Sequence, residues 1–391
     1  MKVARWAWMM LAATPFLGGC KDFWQAPPTS CTSNCPTTTS GNFYILNQGV
    51  NQIAAYNIAS GTLTAIAGSP YTLSSKPYAV AIAPNNGGFL YVSTVSGIYL
   101  YAIDSSTGAL TLGNSNGVIS QDFATTMQVD STGSWLVEAG PDLGAKVIAI
   151  PINPTTGLLA TGGTEKIANI PASTIQQLVI SPDNGNVFLA LGSAGTVIVP
   201  FTAANTNPFG ATYTKIAAKN TGGSALSVAV DPQNRVFYVG ETLANSAANS
   251  GGLRVFNYAS LPGAPAEVSG SPYASGGLAP HAILPDLSGD YAYVANWATG
   301  GDSAGNIAGF TLVSSASTYS LTAGSTFSAG VDPVGLAEDN TKTYVLAVST
   351  GGGPDLQAFT FDTTTLGKLD SALTAATGTD PVQAAAIAAA P

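Results

Sequence analysis

The stretch Val382-Gln-Ala-Ala-Ala-Ile-Ala-Ala-Ala-Pro391, "VQAAAIAAAP", decides the fold. It ends the sequence on apolar residues, and a buried strand needs a partner for its backbone groups. Its complement is "NFYILNQG" (42–49), which has the pattern of a second strand with no first strand before it. Between these two segments one unit recurs: "VAIAPNNGGFLYVST" (80–94), "LVISPDNGNVFLALG" (178–192), "VAVDPQNRVFYVG" (228–240), "AILPDLSGDYAYVAN" (282–296) and "GLAEDNTKTYVLAVS" (335–349). A degenerate copy, "MQVDSTGSWLVEAG", covers 127–140. Period-two alternation around Pro, Asp, Asn and Gly marks a strand–turn–strand in each copy.

A second hairpin follows in most units, as in "NIASGTLT" (57–64), "AIDSSTGALT" (102–111), "PINPTTGLLA" (151–160) and "FDTTTLGKLD" (361–370). Each unit therefore holds four short strands, A to D. Their first strands start at Pro77, Ala124, Ile175, Ala225, Pro280, Pro333 and Pro381, a spacing of ~50 residues that belongs to propellers and other repeat folds. Six units are complete, and the seventh is split between the two ends. Joining the ends makes one blade, so the expected fold is an all-β, seven-bladed propeller over 42–391, closed by pairing its last strand with its first.

The N-terminal segment stands apart. Lys2 and Arg5 precede the apolar run "WAWMMLAATPF", and "LGGC" follows. Residues 1–19 read as an export signal. The Leu-Gly-Gly-Cys segment resembles a bacterial lipobox, which implies cleavage before Cys20 and acylation of Cys20. Residues 20–41, rich in Pro, Ser and Thr, read as a tether between a lipid bilayer and the propeller. The expected location is the bacterial cell envelope. There Cys31 and Cys35 either form a small disulfide or remain thiols.

Composition removes several functions. Charged residues are 8% of the chain, and loss of Lys2 and Arg5 moves the net charge from −9 to about −11. With Arg235 and Arg254 the only arginines left, no basic patch is available for nucleic acid. No phosphate-cradling glycine loop stands between a strand and a helix. Asp302, Glu241 and Asp355 fit no metal-ligand loop, so neither a metal nor a cofactor is expected.

The repeats resemble the lactonase-type seven-bladed propellers, which include 6-phosphogluconolactonases and carboxymuconate-cyclising enzymes. They are also similar to surface-layer repeats of the Tyr-Val-Thr-Asn type. The carriers are "FLYVSTVSGIYLYAIDSSTGALT" (89–111) and "YAYVANWATGGDSAGNIAGFTL" (291–312). A lactonase unit often opens strand A with Pro-Arg-His, where this chain has Pro280-His281-Ala282. Those enzymes often place Glu after the Asn that ends strand B, where this chain has Asn296-Trp297. Binding a phosphorylated sugar lactone calls for clustered Arg or Lys, which are scarce here.

Function is expected on the face shared by the B–C and D–A loops. The catalytic candidates are His281 as general base, Glu241 to orient it and Arg254 for an oxyanion. Asn47, Glu138, Gln176, Gln177, Asn296 and Gln383 are expected at the rim or channel, to bind a ligand or hold water. Trp297 is expected either to stack on a sugar or to pack on its own blade. The leading expectation is a monomeric envelope lipoprotein that binds a protein or glycan. The alternative is a hydrolase or isomerase for an unphosphorylated lactone.

Overall fold

A computed structural model describes residues 40–84, 88–114, 117–245, 251–297, 304–375 and 383–390. The segment expected to be an export signal, the expected acylation site Cys20, and Cys31, Cys35, Asp302 and Pro381 lie outside these residues. The regular structure described is β-sheet, with two short 3₁₀ turns at Pro141–Leu143 and Tyr258–Ser260. No described helix is long and apolar enough to cross a membrane.

Seven antiparallel sheets form a ring. In blade 1, strand A (Ala384–Ala389) pairs with strand B (Ser40–Asn47), followed by C (Gln52–Ala59) and D (Thr62–Ala65). The closing register sets Phe43 against Ala389, Ile45 against Ile387 and Asn47 against Ala384. Gln48 N–H donates to the Gln383 carbonyl and Ala390 N–H to that of Asn42, both at 2.8 Å. The expected closure is therefore present, with its first strand described from Ala384. The other strands A are Pro77–Ile82, Thr126–Val129, Gln177–Ile180, Ala225–Val230, Pro280–Pro285 and Pro333–Glu338, in blades 2 to 7.

Local chemistry explains the repeat. Where strand A turns into B, an aspartate accepts the backbone N–H groups of the turn. Asp130 takes those of Ser134 and Trp135, Asp286 that of Tyr291, and Asp339 those of Thr343 and Tyr344. In blade 4 the Ser181 hydroxyl does this for Gly185 and Asn186. The same turn places Gly133, Asn184, Asn234, Gly289 and Lys342 at positive φ, a conformation that Gly and Asn adopt at least cost.

The apolar residues gather into seven clusters, each shared by two adjacent blades. The cluster between blades 1 and 7 contains Phe43, Ile45, Tyr344 and Leu346; that between blades 4 and 5 contains Phe188, Phe237 and Phe256. The core is thus a set of seams. Hydrogen bonds lock them circumferentially. Tyr44 Oη donates to the Gly108 carbonyl and Tyr91 Oη to that of Gly157, both at 2.7 Å. Trp135 Nε1 donates to the Ala203 carbonyl at 2.9 Å, and Tyr293 Oη to that of Gly367 at 3.2 Å. Across the closing seam Gly61 N–H donates to Tyr344 Oη at 2.6 Å.

The seam between blades 5 and 6 differs. Tyr238 is fully buried and its hydroxyl has no partner among the described residues. Blade 6 has no short C–D hairpin to offer a carbonyl, because its strands C (Ala304–Ser315) and D (Thr318–Val331) run on past that level. Loss of a made buried hydrogen bond costs about 1 kcal/mol, whereas removal of an unpaired hydroxyl costs nothing of the kind. Tyr91→Phe should therefore lower unfolding stability by ~1 kcal/mol, and Tyr238→Phe should leave it unchanged or raise it, as read from urea unfolding.

Candidate functional site

The channel forms where strand A begins. In blades 2, 5, 6 and 7 the pairing skips one residue there, between Pro77 and Ala79, Ala225 and Ser227, Pro280 and Ala282, and Pro333 and Gly335. The skipped residue is a β-bulge, and a bulge re-aims its side chain. Tyr78, Leu226, His281 and Val334 are those residues. Ala385 is skipped in the same way in blade 1. Thr125 and Gln176 precede the first paired residue of strand A in blades 3 and 4.

These side chains line a central channel of about 340 Å³. Tyr78, Thr125 and Gln176 form a polar arc over three consecutive blades. Leu226, Val334 and Ala385 form an apolar arc, interrupted by His281. Among the described residues, no Asp, Glu, Lys or Arg lines the channel. The His281 ring packs edge-on against Trp297, with centroids 4.2 Å apart. Burial lowers the His281 pKa to about 4, so the imidazole is neutral at neutral pH. Trp297 therefore packs within its own blade, and it also braces the one imidazole of the chain.

The sequence-predicted catalytic trio does not assemble. Arg254 Nη1 meets Glu241 Oε1 at 2.8 Å, but no hydrogen bond joins Glu241 to His281 among the described residues. Glu241 Oε2 instead accepts the Lys219 backbone N–H at 2.8 Å. Arg254 also donates to the Ala217 carbonyl at 2.8 Å and to Glu267 Oε1 at 2.7 Å, and it lies over the Phe256 ring. Lys219 Nζ reaches the same Glu267 oxygen at 3.1 Å. This closed ionic clamp holds the seam between blades 4 and 5. Neither Arg254 nor Glu241 faces the channel. Arg254→Met would leave the buried Glu241 carboxylate without its cation, while the half-buried Glu267 keeps Lys219. The expected cost is about 3–5 kcal/mol, read by urea unfolding, with ligand affinity unchanged in the folded fraction.

Other sequence candidates are structural as well. Asn47 and Asn296 end strand B at the same level as Glu241, and all three are buried. Asn296 Nδ2 donates to the Ser275 carbonyl at 2.7 Å and to Asn306 Oδ1 at 2.9 Å, tying the loops. Gln177 Oε1 accepts the Val228 N–H at 2.9 Å, linking blades 4 and 5. Gln383 is exposed, just before strand A of blade 1. Of the proposed ligand-binding residues, Gln176 faces the channel, joined by Gln177 from the wall. Sequence reasoning missed Tyr78, Thr125, Leu226 and Val334, each of which directly follows the aligned first residue of strand A, and Ala385, which follows Ala384 and not the aligned Pro381.

Glu138 is misplaced most plainly by the sequence reading. It is fully buried in the seam between blades 2 and 3, beside the carboxyl of Asp122. The aligned position elsewhere is apolar: Ile45, Val92, Leu189, Val239, Val294 and Ala347. Burial, with the nearby negative charges of Asp122 and Glu165, pushes the Glu138 pKa well above the usual carboxylate range. A carboxyl raised in this way leaves stability intact below its unfolded pKa and removes it as pH climbs through the folded one. Glu138→Gln should match the wild type only below the unfolded glutamate pKa of about 4.3 and should gain on it as pH rises from there, as read from urea unfolding at acidic and neutral pH. Glu338, pushed up to about 7 by burial, titrates in both proteins and cancels.

No family model and no curated protein sequence matches this chain. Solved structures do. A putative 6-phosphogluconolactonase from Bacteroides fragilis superposes with a TM-score of 0.70 at 15% identity, covering 91% of this chain and 100% of its own. A putative 6-phosphogluconolactonase from Bacteroides uniformis gives 0.68 at 15% identity, covering 90% and 99%. The periplasmic gluconolactonase of Pseudomonas aeruginosa gives 0.66 at 17% identity, also covering 90% and 99%. At such identities the likeness is one of fold: this chain is a seven-bladed β-propeller, and it shares that fold with these proteins.

Proposed function

We propose that this propeller is an envelope lipoprotein whose channel mouth binds an uncharged, polyhydroxylated small molecule: a neutral sugar, the end unit of a glycan, or an unphosphorylated sugar lactone. One observation carries the reading. The channel combines hydrogen-bonding side chains on one arc with apolar ones on the other, and no charged side chain lines it. A phosphate would be buried there without Arg or Lys, at a cost of several kcal/mol. A sugar ring suits both arcs, with hydroxyls toward Tyr78, Thr125 and Gln176 and its C–H face toward Leu226 and Val334. The volume of about 340 Å³ falls at the small end of ligand pockets.

Hydrolysis of such a lactone is the second reading, favoured by the neutral His281 in the channel wall. A neutral imidazole can take a proton from water as that water attacks a carbonyl carbon. The fold shared with the Pseudomonas aeruginosa periplasmic gluconolactonase supports the same substrate class.

Calorimetry with neutral sugars, sugar lactones and their phosphorylated counterparts tests the proposal. The neutral compounds should bind and the phosphorylated ones should not. Gln176→Ala and His281→Ala should each weaken binding by about tenfold. Binding should stay flat with falling pH until the His281 pKa of about 4 is approached. Binding of phosphorylated ligands alone would overturn the reading. Lactone opening in the wild type, lost in His281→Ala, would establish the hydrolase over the binding module. For the anchor, Cys20→Ser should move the protein from the membrane fraction to the soluble one; a variant that stays bound would exclude acylation of Cys20 as the tether.

A further inference from the structure

The chain enters the propeller on one face, and the channel opens on the other. Strands A begin and strands B end at the channel mouth, so the A–B turns and C–D hairpins form the opposite face. Ser40 begins strand B of blade 1, and Asn47 ends it level with the mouth. The strand has 8 residues, which at about 3.3 Å each places Ser40 roughly 23 Å from that level. Next to Ser40, a Cβ on Gly41 would lie 2.8 Å from the Asp339 Cβ, in the A–B turn of blade 7. The chain therefore enters on the turn face, at the seam of blades 1 and 7.

Blades 6 and 7 present linked apolar projections on the same face. The long C–D hairpin of blade 6 ends in the uncharged tip "VSSAST" (313–318), exposed throughout. Leu312 N–H donates to the Asp290 carbonyl at 2.8 Å, which holds this hairpin to the A–B turn that carries Leu287. Leu287 N–H in turn donates to Glu338 Oε2 of blade 7 at 2.6 Å. The C–D hairpin of blade 7 joins Leu356–Phe361 to Leu369–Ala375; its Gly367 packs on Tyr291 of blade 6 and accepts from Tyr293 Oη. Leu287, Val313 and Leu366 are 40, 42 and 77% exposed on these three projections. Charges beside them are largely paired: Lys368 meets Asp362 and Asp370 at 2.6 Å, and Asp290 faces Arg235 at 3.8 Å.

The entry point and the length of chain before it select what meets this face. Residues 21–40 span at most ~70 Å even when fully extended. An acyl group on Cys20 therefore keeps the turn face of blades 1 and 7 close to the bilayer, at high effective concentration. Under that constraint a few exposed apolar side chains can settle into the interface, where binding grows with the apolar area buried. The chain's net charge of −9 opposes contact with anionic headgroups. The uncharged tip of blade 6 and the paired ions of blade 7 offer a contact with little of that repulsion.

We infer that the turn ends of blades 6 and 7 rest on the anchoring bilayer through Leu287, Val313 and Leu366, so that the channel mouth opens away from the membrane and takes its ligand from the aqueous compartment. The inference rests on the acylation of Cys20 proposed above. Its test uses the acylated full chain with Cys31→Ser and Cys35→Ser, carrying a thiol-linked dye at Ser314→Cys or at Val95→Cys. Val95 is exposed on the B–C turn of blade 2, at the mouth face. In phosphatidylcholine–phosphatidylethanolamine vesicles with a spin-labelled lipid, quenching should be about threefold or more stronger at Ser314→Cys than at Val95→Cys. Leu287→Glu with Leu366→Glu should cut the quenching at Ser314→Cys by roughly half or more, with the protein still in the vesicle fraction. Vesicle-bound protein quenched equally at the two sites, or more at Val95→Cys, would overturn the inference and leave the anchor standing. Quenching indifferent to the double substitution would overturn the apolar contact. Protein missing from the vesicle fraction would overturn the anchor and the inference together.

Discussion

The interaction on which everything else rests is the zip between Phe43–Asn47 and Ala384–Ala389. No blade has a core of its own. Each apolar cluster lies between two sheets, so a blade at an open end would expose a face that only a neighbour can bury. A closed circle is the one arrangement in which every face is covered. This explains why an alanine-rich strand is tolerated at the centre. Strand A sits where blades converge, and small residues let it pass between blades 2 and 7. Ile387 is its one large side chain, and Gly335 makes room for it: a Cβ there would lie 3.1 Å from the Ile387 Cγ2.

Charge is sparse, and much of it is used inside the turns and seams. The turn aspartates are consumed by backbone N–H groups that would otherwise be buried unpaired. Two seams carry ionisable groups at adjacent positions on strands B and C, with opposite outcomes. Between blades 4 and 5 Arg254 is matched by Glu241 and Glu267, and it lies flat on Phe256. Between blades 2 and 3 Glu138 has no salt-bridge partner among the described residues, and burial raises its pKa. The first arrangement fails when one partner is removed; the second fails when the proton is.

The scaffold was legible because its information is local. "VDSTGSW" and "DPQNRVF" state the turn chemistry in a few residues, and the broken ends state the closure. The site was legible only in part, because it depends on register. A one-residue slip sends a side chain to the other face of a strand, and the channel residues sit at bulges that make this slip. Reading strand ends as rim therefore picked Asn47, Asn296 and Glu241, which point into loops and seams. His281 and Gln176 do line the channel, at the same strand-A position as the overlooked Tyr78, Thr125, Leu226 and Val334. The Arg254–Glu267 contact joins strand C to strand D across a hairpin and has no signal in spacing.

Bulging also separates function from stability. Tyr78, Leu226 and Val334 leave the pairing register at the point where the seams begin, so the side chain aimed into the channel is not the one that packs a seam. The ring of channel residues can then change its chemistry while the turns and seams hold the blades in place. That division accounts for TM-scores of 0.66 to 0.70 at 15 to 17% identity. It also accounts for a channel without charged side chains in a chain whose fold is shared with proteins named for a phosphorylated lactone. The fold constrains where a ligand can sit, and seven positions at the starts of strands A, five of them bulges, determine which ligand is tolerated there.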